Sequence, residues 1–172
     1  MPDASKIGVI VSMRRLLDEG IGQLRELGLR TCQLNNWDAS LATRDNARRV
    51  RDLLADQVSI ASLWAGWPPP AVWDFIDGPA TLGLVPAAYR AQRIEALKRG
   101  ADLAAWLGVQ DVTTHVGFIP ENPSTTEYRE VVVAIREVAR YCRDRGLFLN
   151  FETGQETPTT LMRTIEDLGL DN

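Results

Sequence analysis

Four glycines in this chain stand at the same kind of junction: Leu27-Gly28-Leu29, Leu107-Gly108-Val109, Arg145-Gly146-Leu147 and Leu168-Gly169-Leu170. In each, an amphipathic stretch runs into the glycine, and an apolar or β-branched run usually follows. Glycine just past a helix is the expected stop, because without a Cβ it takes the left-handed backbone conformation at little cost. The repeated unit is therefore a helix handing over to a strand. Apolar residues at helical spacing support it, as in Leu17, Ile21, Leu24 and Leu27, and in Ile94, Leu97, Ala101, Ala104 and Leu107. Ser124-Thr125-Thr126-Glu127 fits a capping box opening a helix that ends near Arg145, and Thr157-Pro158 fits an N-cap followed by proline at the first helical position.

The strand candidates are Lys6 to Val11, Thr31 to Leu34, Val58 to Leu63, Asp111 to His115 and Leu147 to Phe151. They are short and largely apolar without clean alternation, the pattern of parallel strands covered on both faces. Strand alternating with helix implies right-handed crossovers and one parallel sheet, so the fold class is α/β, read as a single domain over residues 1–172. The connection from Trp64 to Ala88 departs from this grammar: it is long, rich in Trp and Pro, and helical only around Val72 to Ile76. Long loops of this kind are often functional.

Leu168-Gly169-Leu170 announces a further strand, yet only Asp171 and Asn172 follow. A complete (βα)₈ barrel takes roughly 250 residues. The expectation is a partial (βα)₈ TIM barrel of about five parallel strands, the N-terminal part of a longer one. The alternative is a complete open sheet of the flavodoxin-like kind. Nucleotide-binding sheets of that kind want a phosphate loop after the first strand. Here the turn reads Val11-Ser12-Met13-Arg14-Arg15, and neither GxGxxG nor GxxxxGK[ST] occurs. An interrupted barrel would leave its first and fifth strands as unpaired edges, favouring self-association and poor solubility.

Charge excludes some partners. Lys+Arg 19 against Asp+Glu 23 leaves −4, with no basic run, which argues against a sequence-independent grip on nucleic acid. The apolar run Ile7 to Val11 is too short for a signal-peptide core or a membrane span, so a cytoplasmic protein with no membrane partner is expected. Cys32 and Cys142 stand in no metal or redox motif and read as core packing.

In parallel α/β folds the ligand site lies at the carboxyl ends of the strands. The apolar strand ending at Phe151 meets Glu152, a carboxylate that is costly there unless paired, hydrogen-bonded or bound to a cation. It reads either as a metal ligand and proton-transfer base or as a solvated loop acid. His115, the only histidine, ends the preceding strand, as ligand, hydrogen-bond donor, proton shuttle or structural group. Asn35 and Asn36 follow the second strand and either bind sugar hydroxyls or cap the nearby helix. Trp64 and Trp67 flank Gly66, with Trp37 one unit earlier; indoles suit the apolar face of a sugar ring and suit packing equally. Trp106 reads as helix packing, and Arg90 and Arg93 as phosphate contacts or solvated side chains. Glu152 and His115 are thus the catalytic and metal-binding candidates, and Asn35, Trp64 and Glu156 the substrate-binding ones.

At Thr114-His115-Val116-Gly117-Phe118-Ile119-Pro120 and Asn150-Phe151-Glu152-Thr153-Gly154-Gln155-Glu156, within the alternating units around them, the chain resembles the sugar phosphate isomerase/epimerase family of xylose isomerase-like TIM barrels. The likeness runs through essentially all 172 residues. It implies a divalent cation (Mn²⁺, Mg²⁺ or Zn²⁺) at the barrel mouth. Glu152 matches the ligand at the end of the fifth strand, and His115 the histidine at the end of the fourth. The family's remaining ligands come from the sixth to eighth strands, which lie beyond Asn172. The resemblance therefore implies a small sugar or sugar phosphate substrate, proton transfer next to a carbonyl in a longer parent, and weak or absent metal binding and activity in this chain alone. Rival readings are an endonuclease IV-like phosphodiesterase and a non-catalytic sugar-binding or interaction domain.

Overall fold

The computed structural model describes residues 7–152 and 154–172. Five strands alternate with helices: β1 (Gly8–Ser12), α1 (Met13–Glu19), α2 (Gly22–Glu26), β2 (Thr31–Asn36), α3 (Arg44–Leu54), β3 (Ser59–Ala65), α4 (Gly78–Thr81), α5 (Ala87–Leu107), β4 (Asp111–Thr114), α6 (Thr126–Arg143), β5 (Phe148–Phe151) and α7 (Pro158–Leu168). Within the described residues these strands match the sequence expectation to within one or two positions; Lys6 lies outside them. Gly108 (φ 76°) and Gly169 (φ 61°) take the left-handed conformation at the ends of α5 and α7, as the junction pattern requires.

All four strand pairings are parallel, and the order in the sheet is the order in the chain. That order separates the two fold readings. A flavodoxin-like sheet reverses direction, with order 2-1-3-4-5, and carries helices on both faces. A strictly sequential order with right-handed crossovers winds one way and puts every helix on one face. The molecule is therefore the wall of a partial (βα)₈ barrel.

Register sorts the strand residues onto two faces. Cys32, Leu34, Leu63, Val112 and Leu149 occupy equivalent positions across β2 to β5 and are buried in one apolar core with the helices. Ile94, Leu97, Ala101, Ala104 and Leu107 of α5 belong to the same core. The alternate positions include Ile10, Gln33, Asn35, Ser62, Trp64, Asp111, Thr113, Phe148 and Asn150, and of these only Trp64 is buried. Gln33 donates to Ser62 (2.8 Å), and Asn150 to Asp111 (2.8 Å). The expectation of strands covered on both faces is thus corrected: helices cover one face, and the other is largely polar and partly open, with Trp64 its buried exception. At the sheet's two edges, Ile10 in β1 and Phe148 in β5 are exposed.

Local expectations change in three more places. The stripe Leu17, Ile21, Leu24, Leu27 does not form one helix, because Gly20 (φ 74°) ends α1. Burial then falls on Leu16, Ile21 and Leu24, while Leu27 is exposed. The N-cap of α6 is Thr125, whose hydroxyl accepts from the Tyr128 amide, one residue later than the capping box suggests. Residues 72–76 are not helical; Asp74 organises the stretch by accepting from the amides of Ile76 (2.9 Å), Asp77 (2.7 Å) and Gly78 (3.4 Å). These bonds to the ionised form hold the Asp74 carboxyl below its ordinary pKa.

Candidate functional site

The carboxyl ends of β2 to β5 meet in a cluster of aromatic rings. Trp37 follows β2, Trp64 closes β3, and Trp67 and Trp73 lie in the long loop beyond it. Ring centroids are 4.5 Å apart for Trp37 and Trp64, 5.5 Å for Trp64 and Trp67, and 6.3 Å for Trp67 and Trp73. Trp64 and Trp67 are buried with Leu82, whereas Trp37 and Trp73 are exposed and form the lip. Gly66 permits the close approach of the segments that leave β2 and β3, since a Cβ there would stand 2.8 Å from the Trp37 Cα.

The long loop is held by arginines. Arg93 is fully buried on α5 and donates from Nη1 to the Gly83 carbonyl (2.7 Å) and from Nη2 to the Pro70 carbonyl (2.5 Å). Its guanidinium also lies 4.8 Å from the Tyr89 ring centroid. Burial lowers its pKa to about 10, so it stays charged at neutral pH. Arg90 donates to the carbonyls of Leu84 and Val85 and pairs with Glu130 (2.9 Å). Neither is a free cation aimed at a phosphate. Both tie the loop's backbone to α5.

His115 follows β4 and is 3% exposed. Its Nδ1 accepts from the Gly117 amide (3.1 Å), and its Nε2 lies 3.0 Å from Gln155 Oε1. A neutral imidazole with an acceptor at Nδ1 carries its proton on Nε2, so Nε2–H donates to Gln155. The edge of Trp73 packs against the ring, with centroids 5.2 Å apart.

Glu152 follows β5, where its amide extends the ladder by donating to the Thr114 carbonyl (2.9 Å). Its side chain is exposed to solvent and accepts from the Trp64 indole N–H through Oε2. Trp64 therefore links the β3 and β5 ends, and Glu152 and His115 lie on one rim joined by the indoles. Glu156 turns back on its own loop, with Oε1 accepting from the Gly154 amide (3.3 Å). Asn35 sits farther along the sheet, in register with Ser12 and Trp64, and lines a cleft of about 470 Å³ beside β1. Asn36 is buried and accepts from the Asp38 amide (3.3 Å), a local turn; Thr43 caps α3 instead. Trp106 is half-buried in α5 beneath Arg44, whose guanidinium carbon lies 5.4 Å from its ring centroid.

Among the described residues, no group of three or more His, Cys, Asp and Glu side chains is placed to hold a metal ion. The available donors reduce further, because both His115 nitrogens are engaged. Of the two metal-binding candidates Glu152 alone offers a charged oxygen, whereas hard divalent cations require several. The residues of this chain do not make a metal site by themselves.

The model of the xylose isomerase-like TIM barrel family matches residues 21–171. The chain belongs to that family. Among solved structures, this xylose isomerase-like chain is similar to the xylose isomerase domain protein of Planctomyces limnophilus, at 28% identity and TM-score 0.86 over 98% of this chain and 61% of that one. An L-ribulose 3-epimerase matches at 21% identity and TM-score 0.65, over 98% and 58%. A xylose isomerase-like TIM barrel protein from Mycobacterium smegmatis, solved in complex with magnesium, matches at 18% and 0.66, over 99% and 64%. The chain thus spans about three fifths of the length of these structures. Among curated protein sequences, none matches. No described helix is long and apolar enough to cross a membrane.

Two residues that sequence reasoning did not assign stand in this mouth. Trp73 belongs to the Trp- and Pro-rich loop and Gln155 to the run Asn150–Glu156, and residue type alone gives neither a role. Exposed aromatics in a long loop are a signal available in the sequence. The Gln155 partner, 40 residues away, is not.

Proposed function

We propose that the rim of this barrel wall binds a small sugar or sugar phosphate and takes part in isomerisation or epimerisation by moving a proton next to the substrate carbonyl. The carrying observation is the Glu152 carboxylate, held by the Trp64 indole at the strand ends, beside an aromatic cluster whose Trp73 packs against the buried His115. In this reading the exposed rings of Trp37 and Trp73 pack on the apolar face of the sugar. Glu152 takes the proton from the carbon beside the carbonyl, and the C–H electron pair becomes the new C=C bond of an enediol(ate). The His115 Nε2–H donates to the oxygen on which negative charge develops. Reprotonation of the same carbon from the opposite face, by water or a second acid, gives the epimer; return of the proton by Glu152 to the neighbouring carbon, as the hydroxyl on that carbon gives up its own proton to become the new carbonyl, gives the isomer. The oxygen of Glu152 not held by the indole is the one free to carry the proton.

Structures of the same fold include an epimerase of L-ribulose and a magnesium complex, which supports the substrate class and a divalent cation in longer relatives. When bound in such a protein, the cation would polarise the carbonyl. From this chain Glu152 is the candidate contributor; His115, with both nitrogens engaged, is a donor to substrate in preference to a ligand.

The test is solvent deuterium exchange into L-ribulose, followed by NMR, with the protein expressed from its whole reading frame in the presence of Mg²⁺ or Mn²⁺. Deuterium is expected at the carbon next to the carbonyl. Glu152→Gln should lower its rate by about 100-fold or more, the usual weight of a positioned base. Undiminished exchange would remove Glu152 from the chemistry. Saturable sugar binding without exchange would favour the second reading, a sugar-binding domain without turnover, which the engaged state of His115 supports.

A further inference from the structure

We propose that Gln155 is an internal stand-in for a sugar oxygen, a latch that occupies the one outward donor of His115 and must release it when substrate binds. The proposal rests on the sugar-binding reading of the rim and specifies how that rim is guarded. The His115 ring is 3% exposed and has two polar atoms. The Gly117 amide fills Nδ1, which leaves the proton on Nε2, and Nε2–H finds Gln155 Oε1 at 3.0 Å. An amide carbonyl oxygen at that distance has the hybridisation and hydrogen-bonding capacity of a ketose carbonyl oxygen. Gln155 thus presents the functional group that the proposed substrate would bring.

Two features make this pairing more than a chance contact. Gly154 passes close over the imidazole: a Cβ there would stand 2.6 Å from His115 Nε2, so a side chain at that position would intrude on the donor. The ring is the more tightly held partner, because the Gly117 amide engages Nδ1 and the Trp73 indole packs nearly perpendicular to the imidazole. The movable partner is therefore Gln155, a partly exposed residue on a loop, and the fixed partner is His115. Trading Gln155 Oε1 for a sugar oxygen keeps Nε2–H satisfied throughout, so the donor is never buried without an acceptor. Gln155 is a positioning residue: it acts through His115 and gives way before substrate contact.

The single histidine makes the experiment direct, since every imidazole resonance of the 172-residue chain belongs to His115. Long-range ¹H–¹⁵N spectra should show the proton on Nε2 in the unsubstituted protein and in Gln155→Ala. Exchange of that proton with water should be about tenfold faster in Gln155→Ala, and Gln155→Glu, which keeps an acceptor, should restore protection. L-Ribulose, followed by tryptophan fluorescence, should bind Gln155→Ala about fivefold more tightly, the weight of one competing hydrogen bond. It should also move the Nε2–H resonance in both proteins. A proton on Nδ1, or unchanged exchange in Gln155→Ala, overturns the latch. L-Ribulose quenching the indoles equally in both proteins, with the imidazole unmoved, overturns the latch and leaves the sugar site standing. If neither indoles nor imidazole respond, the sugar-binding reading fails and the latch fails with it.

Discussion

The two faces of the sheet are made by the same five strands and differ in almost everything else. On the helix side, Leu34 and Leu63 are fully buried and Cys32 and Val112 nearly so, in a continuous apolar core. On the other side, neighbouring residues of the same strands reach sideways instead, Gln33 to Ser62 and Asn150 to Asp111, and stay partly in water. The contrast teaches that cohesion and chemistry are separated here by alternation. Residues facing the helices hold the wall together by excluding water, and residues facing away, the buried Trp64 apart, are free to be polar because little stability depends on them.

Adjacent residues of β3 give the strongest test of that separation. Leu63→Ala should cost about 3 kcal/mol in urea unfolding, as a fully buried leucine replaced by a cavity. Ser62→Ala should cost about 1 kcal/mol or less. Similar losses at the two positions would break the comparison.

The buried thiols sharpen it through pH. Burial pushes the Cys142 thiol up to about 12 and the Cys32 thiol up to about 11, from an ordinary value of 9.0. Above pH 9 the unfolded chain gives up these protons while the folded chain keeps them, so the thiols' contribution is complete below that pH. It is lost as pH rises toward the folded values. In Cys142→Ala one source of this loss is gone. The stability gap between the two proteins, measured by urea unfolding from about pH 8 to about pH 11, should therefore narrow as pH rises. A constant gap would mean that water already reaches the helix-side layer.

The smallest effect belongs to the polar face. A double-mutant cycle on Asn150→Ala and Asp111→Ala should give a coupling of about 0.5 kcal/mol, because the Asn150 side of the pair is exposed. A coupling as large as a core substitution would show that the polar face holds the sheet together as much as the apolar one does.

Much of this architecture was legible in the sequence. The strands showed themselves because parallel strands packed on helices need apolar side chains, and because glycines mark where each helix ends. The polar face was harder to read. Short strands such as Asp111–Thr114 and Phe148–Phe151 hold only two residues on each face, too few to establish alternation. Strand-end position alone singled out Glu152 and His115, since position along the chain fixes which residues reach the rim. Their partners were not legible: Trp64 lies 88 residues from Glu152, and which ring atom of His115 bears the proton depends on one backbone amide. The inward turn of Arg93 was hidden for the same reason, because its acceptors are main-chain carbonyls, which carry no residue identity.

That last point reaches beyond Arg93 itself. Arg93 grips the stretch from Pro70 to Gly83 by its backbone, and Asp74 folds the tip by accepting from three amides. The path of the segment is thus specified largely without the outward side chains of Val72 and Ile76, whereas Phe75 packs against Phe118. Those two can be exchanged without re-aiming Trp73, so descendants of this protein could acquire a taste for new molecules by altering a fingertip while the knuckle stays put.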